Sequence, residues 1–411
     1  MSDTRAEGAA RDRLAVWCGW VLVAIAAAIP PFAWLAPKGF AVLVALGGLL
    51  CLPAVRLTDE DRPSLITLFG LLIWAAASTT WSLFHPRSPD ANTILKLAFE
   101  LPLYWSLICA ARRAAPDLQR RALHVLAWGM TVFGAVLLIE TLTGGMVYQR
   151  VRDIFYHAHP MRPDIAQAKL GHATFVLTAL LPVAFVGAPA RLRLWLGLVM
   201  VAGAGSAAIA FGSDAPVIAL IAAPLAGLAV WRWPTGSPRV LAAGAAALFL
   251  TTPALVWAVR HFADYEAIQR AIPLSYAERM GYWSHAIDWI AQRPLQGWGL
   301  DASRMFAPGI KLHPHDGALQ MWLELGAVGA VTAAVFWGVT LMRLSRLVRD
   351  PANAAAAACA AVYLLFGALN FGLWQEWWLA LGALIVALAA MIRPTGTGAQ
   401  AQAEHRPGPP S

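Results

Sequence analysis

Uninterrupted apolar stretches recur along this 411-residue chain, as at 21–29 and 354–365, and they constrain it more than any motif. Strands of a membrane barrel would alternate apolar and polar residues, so continuous runs point to helices, whose backbone groups are satisfied within one segment. With 59% of residues hydrophobic and 13% charged, no soluble domain fits. The expected fold class is an all-α polytopic membrane protein.

Spans of about 20 apolar residues are predicted near 14–35, 39–55, 64–84, 93–111, 122–143, 168–188, 192–211, 214–231, 239–258, 319–342, 353–371 and 374–392, about twelve helices in all. The short segments on one side carry arginine pairs, such as Arg112 with Arg113, Arg120 with Arg121, Arg191 with Arg193, and Arg343 with Arg346. Those on the other side offer only Lys38 and Arg87. The bias predicts cytoplasmic termini. The first segment is too long for the apolar part of a signal peptide and reads as a retained anchor. Cys18, Cys51, Cys109 and Cys359 lie in apolar runs without obvious partners and read as small core residues.

This topology divides the chain into 1–258, with nine helices and an outer loop at 144–167; a large outer loop at 259–318; three helices in 319–393; and a Gly/Pro-rich tail at 394–411, expected to be disordered in the cytoplasm. Loops this long usually carry function. Within 259–318, Ser275 to Glu278 has the spacing of a capping box, and Tyr276, Met280, Trp283, Ile287 and Ile290 make an amphipathic helix ending before Pro294. Such a helix lies on the membrane surface or caps a cavity. The loop balances Arg260, Arg270, Arg279, Arg293, Arg304 and Lys311 against as many acids, so a diffuse basic patch for nucleic acid is excluded.

Its densest polar cluster runs from Lys311 to Gln320, where the loop meets the tenth span. Asp316 is placed to cap that helix, which sets His315 at a helix end whose dipole favours a neutral imidazole, able to act as a base. Capping alone also accounts for Asp316, and loop packing for His313. A metal site is the other reading of this cluster, but magnesium and manganese prefer oxygen ligands, and zinc would need a third protein ligand here. Elsewhere, Lys96 and Glu100 have the i,i+4 spacing of a neutralised pair within the bundle. Glu140, Glu324 and Glu376 fall near predicted helix ends, where interfacial water makes them inexpensive. Trp34, Trp81, Trp257, Trp374, Trp377 and Trp378 read as an interfacial belt.

Arg279-x-x-x-Trp283, the run Pro294 to Gly299, His313-Pro314-His315-Asp316, Leu319-Gln320 and Glu324-Leu325-Gly326 together resemble the signature region of the O-antigen ligase and polymerase superfamily over 279–329. The resemblance implies an inverting glycosyltransferase of the bacterial inner membrane. It would move a glycan from an undecaprenyl diphosphate carrier to a lipid A-core acceptor at the periplasmic face, among membrane lipids and without cofactor or metal. His315 would be the base and Arg279 the stabiliser of the departing diphosphate, with His313, Asp316, Gln320, Arg152, Arg162 and Lys169 as substrate-binding residues. Two departures stand out. Asp316 replaces the usual asparagine, and Asp214 occupies the place of an arginine in a Ser-Arg-Gly-Ala pattern, whose role Arg162 is the first candidate to assume. A polymerase acting on a second carrier-linked glycan is the nearest alternative. A lipid-linked glycan transporter is the alternative from another class, disfavoured because helices 1–6 and 7–12 show no obvious pairing and the polar cluster sits at one face.

Overall fold

The computed structural model describes residues 2–156 and 161–392, with side chains from residue 11 onward except 155–156; the expected tail lies outside this range. The described residues form fifteen α-helices and no strand. All twelve predicted segments are helical: α1 (Ser2–Leu35), α2 (Phe40–Leu50), α3 (Arg62–Ser78), α4 (Thr93–Arg113), α5 (Pro116–Thr143), α7 (Pro163–Gly187), α8 (Arg193–Ala210), α9 (Asp214–Arg232), α10 (Gly236–Phe262), α13 (Gly317–Met342), α14 (Pro351–Leu369) and α15 (Glu376–Ala390). The rest are α6 (Met146–Tyr156), α11 (Tyr265–Ala271) and α12 (Leu274–Gln292), all within the two long loops. Nine helices among the described residues are long and apolar enough to cross a membrane, while α2, α3 and α15 are shorter. At 1.5 Å per residue, the 17 residues of α3 reach only about 26 Å.

Helix ends follow local chemistry. Asn92 caps α4, its side-chain oxygen accepting from the Leu95 N–H at 3.2 Å. Pro116 opens α5, and Gly144 closes it in the left-handed conformation with φ 65°. In α12 the expected Ser275 cap is not used: the helix starts two residues earlier than that cap would set it, with Pro273 in the cap position and no side-chain cap. Its apolar face packs against Leu319 and Leu323 of α13, so α12 covers the end of the bundle instead of lying flat on lipid.

The most enclosed span is α7, packed among α5, α8, α14 and α15; α10 and α3 flank α13 in a second core. On the arginine-rich face, buried Asp61 binds Arg112 at 2.8 Å and Arg343 at 3.0 Å, tying the ends of α4 and α13 to the start of α3. Burial alone would raise this carboxyl, but hydrogen bonds from Arg112, Thr58 and Arg343 hold it down at about 2.

Three sequence readings are corrected here. Lys96 pairs with Glu376 of α15 rather than with Glu100, whose carboxylate accepts from Tyr104 at 3.1 Å. Trp377 and Trp378 are core residues, and the Trp374 indole donates into a buried carboxylate, so these three are not belt residues. All four cysteines are buried and free, as expected, but Cys18 and Cys51 lie against each other.

Candidate active site

The site is built around a break in α13. At Gly326 (φ 65°, ψ −162°) the helical ladder stops, and the segment 294–299 is spliced into the gap. Trp298 and Gly299 donate their N–H groups to the oxygens of Leu323 and Glu324, at 2.9 and 2.7 Å. Ala327 donates to Pro294 O at 2.8 Å, and the Trp74 indole to Leu325 O at 2.9 Å. These groups at the break thus find partners, as irregular backbone in a bundle core requires. A Cβ on Gly297 would lie 2.4 Å from Glu324 O, and one on Gly326 would lie 2.3 Å from Leu295 O. This close approach is the physical content of the Gly-Trp-Gly and Glu-Leu-Gly motifs.

Glu324, read from sequence as exposed at a helix end, is fully buried. Its Oε1 accepts from Ser303 at 2.6 Å and Gln320 at 3.0 Å, and its Oε2 from the Asp301 N–H at 3.0 Å and Trp374 at 2.6 Å. Four donors around one carboxylate offset its desolvation and fasten the 301–303 turn and the 373–375 loop to α13. Glu140 is likewise buried, accepting from Trp34 at 3.2 Å. Gln320, expected to touch substrate, uses both ends of its amide internally: it donates to Glu324, and its oxygen accepts from the Leu373 N–H at 3.0 Å. Its role is to hold the 373 loop.

On this frame sits the His cluster. Asp316 caps α13, accepting from the Leu319 N–H at 2.9 Å; burial pushes its carboxyl up to about 7 against the pull of the Leu319 and Ala318 amides. His315 has φ 58° and is held from three sides. Its N–H donates to His313 Nδ1 at 3.1 Å, its ring stacks on Tyr282 at 6.1 Å, and its Nδ1 lies 2.9 Å from Asn370 O. A carbonyl only accepts, so Nδ1 carries the proton and Nε2 keeps its lone pair. Burial lowers the imidazole from its ordinary 6.5; the Asn370 bond works against this, and the Arg279 charge adds to it. His313, its ring 4.2 Å away, packs against Gly372 and lies 3.2 Å from the Gln375 amide; burial, His315, Arg304 and Arg279 push it to about 3. Both imidazoles are therefore neutral near pH 7.

Arg279 projects from α12 beside this pair, its guanidinium 5.0 Å from the Tyr276 ring. One turn on, Trp283 donates to Pro314 O at 3.0 Å, locking α12 to the His loop. The charge of Asp214 reaches Tyr276, which brings the start of α9 to the same locus. The other basic sequence candidates come from α6 and α7. Arg162, at the cap position of α7, is exposed and held by Asp164 in two bonds of 2.8 and 3.0 Å. Arg152 lies on α6, and Lys169 is exposed on α7 one turn before His172. Sequence reading passed over His172, whose ring sits 4.8 Å from Trp377 and 5.4 Å from Phe371, next to the 370–375 loop. An ionisable residue in an apolar run was the signal. Among the described residues no group of three His, Cys, Asp or Glu side chains could hold a metal ion.

The profile of the family described as O-Antigen ligase matches residues 198–334, which run from α8 through the break in α13 and take in Arg279, both histidines, Asp316 and Glu324. Over these residues the chain is similar to the O-antigen ligase family. Proteins provisionally named polysaccharide ligase are similar over 132 residues: one from Rickettsia conorii is 27% identical, and one from Rickettsia prowazekii is 26% identical. In each case the match covers 29% of this chain and about a third of the relative, 32% and 33% respectively. The chain thus spans only about a third of the length of these relatives. No solved structure matches it. The matched region holds both histidines, Arg279, Asp316 and Glu324, while Trp74, the 373–375 loop, Arg162, Lys169, His172 and the Asn370 carbonyl come from outside it.

Proposed function

We propose that this protein is an inverting glycosyltransferase of the bacterial inner membrane that ligates a glycan from undecaprenyl diphosphate onto lipid A-core at the periplasmic face. The observation that carries this reading is the fixed tautomer of His315, a neutral base with a free Nε2 beside the Arg279 guanidinium. Attack by a sugar hydroxyl on the anomeric carbon needs a proton acceptor, and His315 Nε2 supplies it. Departure of the diphosphate needs charge stabilisation more than protonation, which a guanidinium gives through two N–H groups. A single displacement with one base on the acceptor inverts the anomeric centre. His313, Asp316 and Gln320 hold the base and its loop in position, and Arg162, Arg152 and Lys169 serve the donor from α6 and α7. The arginine-rich face is then cytoplasmic.

The test is transfer by the purified protein in lipid nanodiscs, with undecaprenyl diphosphate glycan as donor and lipid A-core as acceptor, in the presence of EDTA. Product of inverted anomeric configuration is expected. Transport of the donor without transfer, or activity lost in chelator and restored by one divalent ion, overturns the reading.

A further inference from the structure

A concavity lies between the α3–α4 connection and the 300–301 turn. It has a volume of about 290 Å³ and is lined by Phe84, His85, Pro86, Asn92, Thr93 and Asp301, among others. Resting on the function proposed above, we infer that this cavity binds one sugar ring of the acceptor saccharide.

The chemistry of its walls selects a neutral hydroxylated ligand. No lysine or arginine lines it, and its one charged lining group, Asp301, is already paired with Arg304 at 3.0 Å, so nothing in the lining would hold a diphosphate. A sugar presents an apolar C–H face and a rim of hydroxyls, each both donor and acceptor. Phe84, Pro86 and Leu300 offer apolar surface. The Asp301 carboxylate, which accepts from Thr93 and Arg304, has further lone pairs for hydroxyl protons. Asn92 uses its side-chain oxygen to cap α4, which leaves the amide N–H groups to donate. The volume is at the small end of ligand pockets, roughly 300–1,000 Å³, and suits a single ring rather than a polyprenyl chain.

The cavity is also coupled to the base. Arg304 sits 5.1 Å from the Phe84 ring on one side, and its charge reaches His313 on the other. Asp301 and Ser303, on the same turn, are bound by Glu324, and the Ser303 hydroxyl oxygen also lies 2.9 Å from Leu312 O, next to His313. One rigid turn thus joins the cavity to the His loop. Arg279 would hold the donor diphosphate on one side of the histidines, and the acceptor sugar would come from the other.

The test uses Asn92→Asp, which keeps a capping oxygen and removes the amide donors, and His85→Ala at an exposed position. In the nanodisc transfer assay each should raise the KM for lipid A-core about tenfold and leave the KM for the undecaprenyl diphosphate donor unchanged. Unchanged acceptor KM in both variants, or a change in donor KM instead, overturns the assignment. Binding of lipid-free core oligosaccharide, followed by saturation-transfer NMR without donor, separates this inference from the proposed function. Binding by the wild type that is lost in Asn92→Asp supports the cavity even if no transfer is seen. Binding unaffected by either variant places the sugar elsewhere even if transfer is robust.

Discussion

His315 and Asn370 are joined by a 2.9 Å hydrogen bond between an imidazole nitrogen and a main-chain oxygen, across 55 residues of sequence. The bond sets which nitrogen is basic, and burial with the nearby Arg279 charge keeps the ring unprotonated. Lowering a base below its usual 6.5 means the active form persists at mildly acidic pH and is lost only as pH falls through the lowered value. The midpoint of the acid limb in the pH profile of kcat should therefore lie below pH 6.5. His315→Ala should cost about 10²–10⁴-fold in kcat with an unchanged melting temperature, and His313→Ala should cost less. Full activity of His315→Ala at neutral pH would remove the base from the mechanism.

Arg279→Lys keeps the charge but not the planar fork. The loss of one charge-assisted contact in the transition state should cost about 3 kcal/mol, roughly a hundredfold in kcat. Arg279→Gln should in addition shift the residual acid limb to higher pH, because a positive charge that opposes protonation of His315 is gone. Wild-type rates for Arg279→Lys would show that the guanidinium is not bidentate on the leaving group.

The splice in α13 predicts opposite outcomes for the same substitution in one helix. Gly326→Ala forces a Cβ to within 2.3 Å of Leu295 O at φ 65° and should destabilise by at least about 2 kcal/mol. Gly338→Ala meets nothing within 4 Å in a helical interior and should stabilise by about 0.5–1 kcal/mol. Thermal melts in detergent check both, and equal shifts for the two would refute the splice.

Asp316→Asn should retain the cap, since the amide oxygen can accept from Leu319 as the carboxylate does. The pH dependence follows from the raised carboxyl. Unfolded, the aspartate ionises near 3.8; folded, it holds its proton up to about 7. The wild type thus loses stability as pH rises between these values and stays at the lower level above them. Asparagine has no such loss, so the advantage of Asp316→Asn should grow between pH 4 and pH 7. Melting temperatures across that range measure it, and a constant difference would contradict the buried carboxyl.

What could be read from the sequence was local. Asp316 caps its helix through an amide only three residues on, and the spans announce themselves through apolar runs, so both were legible. Glu324 was misread because its donors, Asp301, Ser303 and Trp374, lie 21 to 50 residues away, and sequence spacing shows only the helix end. Lys96 was given the partner within helical reach, whereas the actual one is 280 residues on. His172 carries no motif and gains meaning only when α7 is packed beside the 370–375 loop. His315 was legible from its place at a capped helix end, whereas the role of Arg279 came from the resemblance; their shared locus depends on α12 folding back over α13, which pattern reading left between a surface helix and a cap.

The break at Gly326 also governs how the bilayer acts on the catalytic loop. Spans answer a thinner or thicker membrane by tilting. A continuous rod of 26 residues would act as a lever, swinging its far end with each change of angle. Here the first ten residues of α13 are stitched to 294–299 and Trp74, and the amides of Ala327 and Val328 are held by Pro294 and Leu295 instead of the preceding turn. Both halves are thus bonded to the same loop segment, and a change of tilt in the lower half is taken up first by 294–299. The imidazole of His315 is registered to its own loop and to Asn370, on the far side of that joint from the lower half.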